Sequence, residues 1–333
     1  MTTKSLSLFS VVFILLSLAL TGCGGANDSS TANPAQAAPS ALKVAMLLPG
    51  PIDDKSWSQA GYEGLELIEK ELGAPPVYTA SVPEADMEKV FRQYAEEGYD
   101  FVIGHGGEFI PAAEVVAQDF PQTKFAVTAI HPGNNKNLGA LSLRDSELGY
   151  LTGVVAALKT KTNKVAFIGG IAYPAIQEQA DSFERGAKAT NPNVEVSIEW
   201  VDSWTDEVKT KELAEAQIKA GADVLLADVD AAGRVVIDAA KNAGIYAIGW
   251  SQDQHEQAPD TVLTSGIQRL PVALLEGATL VQQGRWEGKQ YKFGLQEGAQ
   301  ELAPFYNLLT PEEEAKVNAT KQDILTSKID VAP

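Results

Sequence analysis

The sequence predicts an α/β protein of two lobes, each a parallel sheet flanked by helices. Short apolar, β-branched runs alternate with longer segments whose apolar residues recur at helical spacing. Such alternation is typical of parallel sheets whose faces are covered by helices. The pattern runs to residue 158 and starts again at Lys164, and 333 residues are enough for about two domains. Two similar lobes are therefore expected.

In the first unit, each predicted strand is a short apolar run and each helix carries one apolar face. The first helix, for example, places Tyr62, Leu65 and Ile68 on one side and ends at Gly73, a residue suited to helix termini. Strands are predicted at 43–48, 77–80, 101–103, 124–130 and 138–143, and helices at 57–72, 84–97, 110–118 and 146–158.

The second unit repeats these signals, and its last part is expected to be irregular apart from a helical tail. Trp200 alternates inside a strand and is assigned to the core, whereas Trp286 is expected in a polar turn. Strands are predicted at 164–168, 195–201, 224–227, 246–249, 262–264 and 290–295, and helices at 174–190, 206–219, 233–242, 270–283 and 311–321.

Three of the five tryptophans follow the carboxyl ends of predicted strands, where parallel sheets bind their ligands. These residues are Trp57, Trp204 and Trp250. Aromatic rings on both walls of a cleft can stack on a flat apolar ligand. Asp230 and Asp253, also at strand ends, could accept hydrogen bonds from ring N–H groups. The pattern predicts a site for a flat heterocycle, although Trp57 fits the core as well as the cleft.

The loop before the first helix and the glycine-rich loop at 104–107 hold further candidates. Asp54 can cap the helix or face a ligand. The glycine-rich loop lacks the Lys-Ser/Thr ending of a phosphate-binding loop. Gly106 allows close approach of the backbone to a ligand, and His105 either donates to that ligand or orients the loop.

Composition argues against catalysis and against nucleic acid. The chain has three histidines, no His/Cys/Asp/Glu set with metal spacing and no Gly-x-Ser-x-Gly elbow. A non-enzymatic protein without cofactor or metal is therefore expected. The net charge of −18 provides no basic patch for phosphates, so nucleic acid is not an expected partner.

The amino terminus predicts export and lipidation. Lys4 precedes an apolar stretch at 6–20, which ends in Leu-Thr-Gly before Cys23, the only cysteine. This arrangement indicates a lipoprotein signal peptide at 1–22, cleaved before a lipid-modified Cys23. The alternative is an ordinary signal peptide with an incidental cysteine. Residues 23–40 read as a disordered tether, so a lipid-anchored protein of the cell envelope, facing the periplasm or the cell exterior, is expected.

In order and spacing, several stretches resemble the basic membrane protein (BMP) family of substrate-binding lipoproteins. The resemblance covers nearly the whole mature chain. The family includes purine-nucleoside and purine-base receptors that deliver their ligands to ABC importers. The stretches are 54–57, 149–153, 164–170, 183–186 with 191–192, 221–224, 244–249 and 253–254.

The resemblance implies a two-lobed periplasmic-binding-protein type I fold whose lobes are joined by three crossovers and close on a ligand. It places the crossovers near Leu143, near Thr264 and in the C-terminal segment. The first lobe would comprise 41–142 and 266–333, and the second 143–265. Trp57 and Trp204 occupy the positions of the family's aromatic clamp, and the partners would be an ABC permease and ATPase.

Two departures from the nucleoside-binding members favour a free base over a nucleoside. Ser251 replaces an aspartate that would bind ribose hydroxyls. The lysine expected after the Thr-Ser strand is either replaced by Gln268 or shifted by one position to Arg269. Loss of buried polar partners for ribose lowers nucleoside affinity. A sugar-binding protein of the same fold, a ligand-sensing lobe for a membrane partner and a nucleoside-hydrolase-like enzyme stand as alternatives.

Overall fold

The computed structural model describes residues 41–54 and 57–331, without the side chain of Ala231. The predicted signal peptide, Cys23 and the predicted tether lie outside the described residues. From Ala41 onward the chain forms one compact unit. Within the described ranges, no helix is both long and apolar enough to cross a bilayer.

The first sheet is built from parallel strands in the order β11-β5-β4-β3-β1-β2. Four helices cover its two faces. The strands are β1 (Val44–Leu47), β2 (Val77–Thr79), β3 (Phe101–Gly104), β4 (Lys124–Val127), β5 (Leu138–Leu143) and β11 (Gln290–Phe293), and the helices are α1 (Trp57–Leu72), α2 (Met87–Glu96), α3 (Ile110–Asp119) and α8 (Leu270–Gln282).

The second sheet has the order β12-β10-β9-β8-β6-β7, and only the edge strand β12 runs antiparallel to its neighbour. The fold class predicted from the sequence is confirmed. The strands are β6 (Lys164–Gly169), β7 (Glu195–Trp200), β8 (Val224–Asp228), β9 (Tyr246–Ser251), β10 (Val262–Gln268) and β12 (Gln300–Leu302), and the helices are α4 (Asp145–Lys159), α5 (Pro174–Thr190), α6 (Glu207–Lys219), α7 (Arg234–Ala243) and α9 (Pro311–Leu325).

Each face of each sheet has its own apolar core, because the strands are apolar on both sides. Phe91, Phe109 and Phe125 fill the core under α2 and α3, and Phe167 and Phe183 fill the core under α4 and α5. Helices α4 and α5 pack backbone against backbone: a Cβ on Gly153 would lie 2.0 Å from the carbonyl oxygen of Phe183. Close packing of this kind fixes the amino-terminal ends of both helices relative to the second sheet.

The chain crosses between the lobes at 143–145, at 268–270 and at 293–300, and the three crossovers are tied together. The amide of Arg144 donates to the carbonyl of Phe293 at 2.8 Å, and the amide of Leu295 donates to the carboxylate of Glu147 at 2.9 Å. The amide of Arg269 donates to the carbonyl of Ala299 at 2.7 Å. Any rotation of one lobe against the other must therefore act on all three segments together.

The expected assignment of 266–333 to the first lobe needs a correction for the C-terminal segment. Only α8 and β11 join the first lobe, whereas β12 pairs with β10 in the second sheet. Leu309, Val317 and Ile324 pack into the core under α4 and α5. The cause is an apolar stripe on α9 that only the second lobe covers.

Trp286 lies in the polar loop after α8, as expected, but its side chain turns inward. Its side chain is 6% exposed and packs in the core under α1 and α8. The ring stacks on Tyr291 with centroids 4.9 Å apart, and its Nε1 donates to the carbonyl of Asn137 at 3.1 Å. Trp286 thus closes the apolar edge of the first sheet near β11.

Candidate functional site

On the first lobe, the candidate site starts where α1 follows β1. The carboxylate of Asp54 accepts hydrogen bonds from the backbone amides of Ser58 at 2.9 Å and Gln59 at 3.0 Å. Amides in the first turn have no acceptor inside the helix, so a carboxylate before that turn stabilises the helix start. Asp54 therefore caps α1, the structural role that the sequence left open beside ligand binding.

His105 fixes the side chain of Trp57. The two rings stack with centroids 4.5 Å apart and an interplanar angle of 19°. The indole Nε1 donates to the backbone carbonyl of His105 at 3.1 Å, and the histidine Nε2 lies 2.8 Å from the carbonyl of Trp57. These contacts hold the half-buried indole at the lobe surface in one orientation.

The imidazole itself is fully buried and has a partner at each nitrogen. Burial lowers the pKa of His105 to about 4, so the ring is neutral near pH 7. Because the carbonyl of Trp57 can only accept, Nε2 carries the proton and Nδ1 accepts from the hydroxyl of Thr128 at 3.1 Å. Of the two roles that the sequence left open, these contacts favour the second, in which His105 supports Trp57 and the loop.

Gly106 and Glu108 form the rest of this loop. Gly106 has φ of 145°, and a Cβ there would lie 2.2 Å from a carboxylate oxygen of Glu108. A side chain at position 106 would therefore displace that carboxylate. Glu108 is half-buried, and burial raises its pKa above the usual range. The loop thus places the carboxyl group of Glu108 beside the backbone of Gly106, which carries no side chain.

On the second lobe, Trp204 and Tyr173 form the facing aromatic surface. Trp204 packs over Gly170, where a Cβ would lie 2.3 Å from the indole ring. The ring of Tyr173 lies 6.4 Å from that of Trp204 at an angle of 31°, and Tyr173 is 39% exposed. The pKa of Tyr173 is raised by burial and by the negative charges of Glu108 and Glu84. The aromatic pair therefore faces the first-lobe carboxylates.

Asp228 ends β8 and is 7% exposed. Burial, followed by the charges of Asp145 and Asp230, raises its pKa to about 8. Burial and the charge of Glu178 raise the pKa of Asp145 to about 7, although Gln268 donates to its carboxylate at 3.2 Å. The second lobe thus holds two buried carboxyl groups that keep protons near neutral pH.

Gln179 on α5 lies beside Asp228. Its side chain is fully buried, and neither its amide oxygen nor its amide nitrogen has a hydrogen-bond partner of good geometry. One carboxylate oxygen of Asp228 is also without such a partner, although the nearby amide of Gln179 lowers the pKa of Asp228 slightly. Unsatisfied buried polar groups are rare in native proteins and mark places where a partner is expected.

Trp250 and Asp253, which were predicted to face a ligand, make contacts within the protein. Trp250 is 5% exposed and packs in the core under α4 and α5, so its expected place in the cleft is corrected. Asp253 accepts hydrogen bonds from the amide of His255 at 3.0 Å and from the hydroxyl of Tyr306. The rings of His255 and Tyr306 stack with centroids 3.5 Å apart. Asp253 therefore fastens the C-terminal segment to this loop.

A cavity of about 690 Å³ spans the two lobes beside α1 and the second crossover. Trp57, Ser251 and Asp253 are among its lining residues, together with Gln268 and Arg269. Pockets of about 300–1,000 Å³ suit small-molecule ligands. Trp204, Asp230 and Gly106 do not line this cavity. Asp230 opens a short 3₁₀ turn at 230–233 beside Asp228, and its φ is 46°.

Sequence reasoning missed Tyr173, Glu108 and Gln179. Tyr173 and Glu108 follow the carboxyl ends of β6 and β3, but the sequence assigned neither of them a role. Gln179 lies on the second turn of a helix and carries no sequence signal, because only the tertiary packing of α4 against α5 buries its amide.

Comparison with known proteins gives a consistent result. Residues 41–332 match the family model described as "Bmp: ABC transporter substrate-binding protein PnrA-like". The transcriptional activator protein Med of Bacillus subtilis is 29% identical over 95% of both chains. A purine-binding protein of Brucella abortus is 28% identical over 86% of this chain and 84% of its own.

A solved structure confirms the fold. The solute-binding protein of an ABC transporter system from Aeropyrum pernix superimposes with a TM-score of 0.76 at 22% identity. The match covers 88% of this chain and 94% of the other. The resemblance inferred from the sequence motifs is confirmed by the family match over almost the whole described chain. The chain belongs to the PnrA-like Bmp family of ABC transporter substrate-binding proteins.

Proposed function

We propose that this chain is the lipid-anchored substrate-binding protein of an ABC importer and binds a purine between its two lobes. The observation that carries the proposal is a fixed tryptophan after a strand end on each lobe, Trp57 after β1 and Trp204 after β7. Trp57 is held by His105, and Trp204 is held over Gly170. Two fixed aromatic faces suit a flat heterocycle because each face can stack on it.

Support for a purine comes from the family and from the Brucella abortus relative named a purine-binding protein. A free base is favoured over a nucleoside. Ser251 has only a hydroxyl where ribose recognition uses a carboxylate, and Gln268 already donates to Asp145. A ribose would leave its hydroxyls without these partners, which costs about 1–3 kcal/mol for each buried unpaired group.

The other parts of the proposal follow from the same family. The protein does not turn over its ligand, and its partners are a permease and an ATPase subunit. The membrane anchor would be the lipid on Cys23, which lies outside the described residues. Trp57, Trp204, Asp230, Gly106, Ser251 and Asp253 remain proposed ligand contacts, whereas Asp54, His105 and Trp250 have the structural roles described above.

A thermal-shift screen of residues 41–333 tests the proposal with purine bases, nucleosides, pyrimidines, sugars and amino acids. A purine base should raise the melting temperature without being consumed. Trp57→Ala and Trp204→Ala should abolish the shift, whereas Trp57→Phe and Trp204→Phe should keep much of it because a phenyl ring still stacks.

The same screen separates the alternatives. A shift with sugars alone would favour a sugar-binding protein of this fold and contradict the purine proposal. A shift with nucleosides but not with bases would contradict the preference for the base.

A ligand-sensing role is the second candidate, because the relative Med of Bacillus subtilis is named a transcriptional activator. Uptake of a radiolabelled purine separates the two roles. A strain lacking this protein should lose high-affinity uptake if the protein serves an importer, and should keep it if the protein is a sensor.

A further inference from the structure

Around the aromatic pair the titratable groups are acidic on both lobes, whereas Arg269 lines the cavity beside α1. Glu108 and Glu84 on the first lobe lie close enough to Tyr173 to raise its pKa. On the second lobe, the negative charges of Asp145 and Asp230 raise the pKa of Asp228. No lysine or arginine is among the influences on Glu108 or Asp228 in the described part of the chain. A ligand that enters here meets carboxyl groups.

Glu108 is the carboxyl group best placed to touch a ligand. It is half-buried rather than enclosed, and its carboxylate lies over Gly106, where the backbone carries no side chain. The same loop holds Trp57 through the carbonyl of His105, while Tyr173 faces Glu108 from the second lobe. A base stacked on either aromatic wall would present its edge toward this loop.

Gln179 and Asp228 are a second, independent sign of a ligand. The Gln179 side chain is fully buried, its amide nitrogen lies near the Asp228 carboxyl, and its amide oxygen and one oxygen of Asp228 have no hydrogen-bond partner. These atoms lie directly behind the end of β8, beside the loop that carries Asp230. Buried polar groups normally have hydrogen-bond partners, so these atoms of the second lobe are available to bond a ligand.

We propose that the cleft selects amino-substituted, uncharged purines over oxopurines that ionise to anions, and that Glu108 makes the selecting contact from the first lobe. This rests on the proposed function and specifies its ligand class. Asp228 and Gln179 provide the complementary acceptor and donor on the second lobe.

The chemistry of the two ligand classes explains the selection. The amino group of adenine donates a hydrogen bond to a carboxylate, and the two neighbouring N–H groups of guanine donate two. Xanthine offers carbonyl oxygens along this edge and becomes an anion, so a carboxylate repels it. Hypoxanthine is uncharged but lacks an amino group, which separates the charge effect from the hydrogen bond.

Isothermal titration of the full-length chain in detergent tests this selection, with adenine, guanine, hypoxanthine and xanthine as ligands. At pH 8, where xanthine is partly anionic, adenine or guanine should bind at least tenfold more tightly than xanthine, with hypoxanthine in between. Glu108→Gln should reduce the ratio of adenine to xanthine affinity at least tenfold, because the amide no longer repels an anion.

Two variants guard against indirect effects. Glu114→Gln removes an exposed carboxylate on the neighbouring helix α3 and should leave the ratio unchanged. Glu108→Asp keeps a carboxyl group and should keep the direction of selection. Unliganded melting temperatures identify any variant that fails to fold.

The outcomes separate this inference from the proposed function. If the unmodified protein binds purines but adenine, guanine and xanthine bind equally, or if Glu108→Gln leaves the ratio unchanged, the inference is wrong while the proposed function stands. If no purine binds at all, the proposed function is wrong and the inference is wrong with it.

Discussion

The two walls of the cleft differ in how completely their polar groups are paired. On the first lobe, the indole N–H of Trp57 and both ring nitrogens of His105 have hydrogen-bond partners. On the second lobe, Gln179 and one oxygen of Asp228 are buried without one. The first wall is therefore complete before a ligand arrives, whereas the second gains partners only when something is added. In such a site the first lobe is preorganised, whereas polar groups of the second lobe form their hydrogen bonds only when a ligand binds.

The largest expected effect comes from breaking the paired wall with His105→Ala. The substitution leaves a cavity under α1 and removes the ring stacked on Trp57 together with the partners of the Trp57 carbonyl and the Thr128 hydroxyl, so unfolding should become easier by about 3 kcal/mol. Chemical denaturation measures the loss, and purine binding should weaken because Trp57 loses its support. Thr128→Val removes only one of the hydrogen bonds and should cost about 1 kcal/mol. Unchanged stability and affinity in His105→Ala would contradict the supporting role.

Asp228→Asn tests the unpaired wall through pH. The pKa of Asp228 rises from an ordinary value of 3.8 to about 8, so the folded state holds a proton that the unfolded chain releases. The stability that this proton contributes is complete below pH 4 and is lost as the pH rises toward 8. Removal of the titrating group should make Asp228→Asn more stable than the unmodified protein at pH 8, and this difference should shrink as the pH falls to 4.

Denaturation curves at pH 4, 6 and 8 measure the Asp228 effect. The groups that face this carboxyl are Asp145 on α4, Asp230 after β8 and the neutral amide of Gln179 on α5. Asp145 titrates near pH 7 and remains in the variant, so part of the pH dependence should remain as well. Asp181→Asn, which alters an exposed carboxylate on α5, serves as the control. Parallel curves for Asp228→Asn and the unmodified protein would exclude a raised pKa.

The smallest expected effect sharpens the comparison at the aromatic surface. Gly170→Ala places a Cβ 2.3 Å from the ring of Trp204, so the indole must move. Purine affinity should fall about tenfold, equal to about 1.4 kcal/mol, with little change in melting temperature. Gly233→Ala is a matched control in the same lobe, because its nearest neighbours lie 3.8 Å away. Equal affinities in the two variants would show that the position of Trp204 does not matter.

Most of the fold could be predicted because its signals are local. Buried strands such as β3 and β8 are short apolar runs, and helices such as α1 carry one apolar face. β12 could not be predicted, because Gln300-Glu301-Leu302 contains no apolar run and is fixed only by pairing with β10. The lobe assignment of α9 failed for a related reason: its apolar stripe does not specify which core it meets.

Prediction of the site was less complete, because burial and pairing decide what a polar residue does. Trp57 and Trp204 could be found from their strand-end positions. Trp250 was expected after the strand, but β9 extends to Ser251, and alternation along β9 places Trp250 in the core on the same face as Ile248. The sequence suggested His105 as one of two things, and only the stacking on Trp57 and the two occupied nitrogens distinguish them.

The order of the strands has a consequence for how the chain folds. One edge strand of the first sheet is β11, and one edge strand of the second sheet is β12. Both sheets are therefore completed by segments that follow α8. The contact between β11 and β5 joins strands that are separated in sequence by β6 to β10 of the second lobe, and long-range contacts of this type slow folding. During synthesis neither sheet can close before the last strands emerge, and a chain truncated after α8 would expose an unpaired strand edge on each lobe.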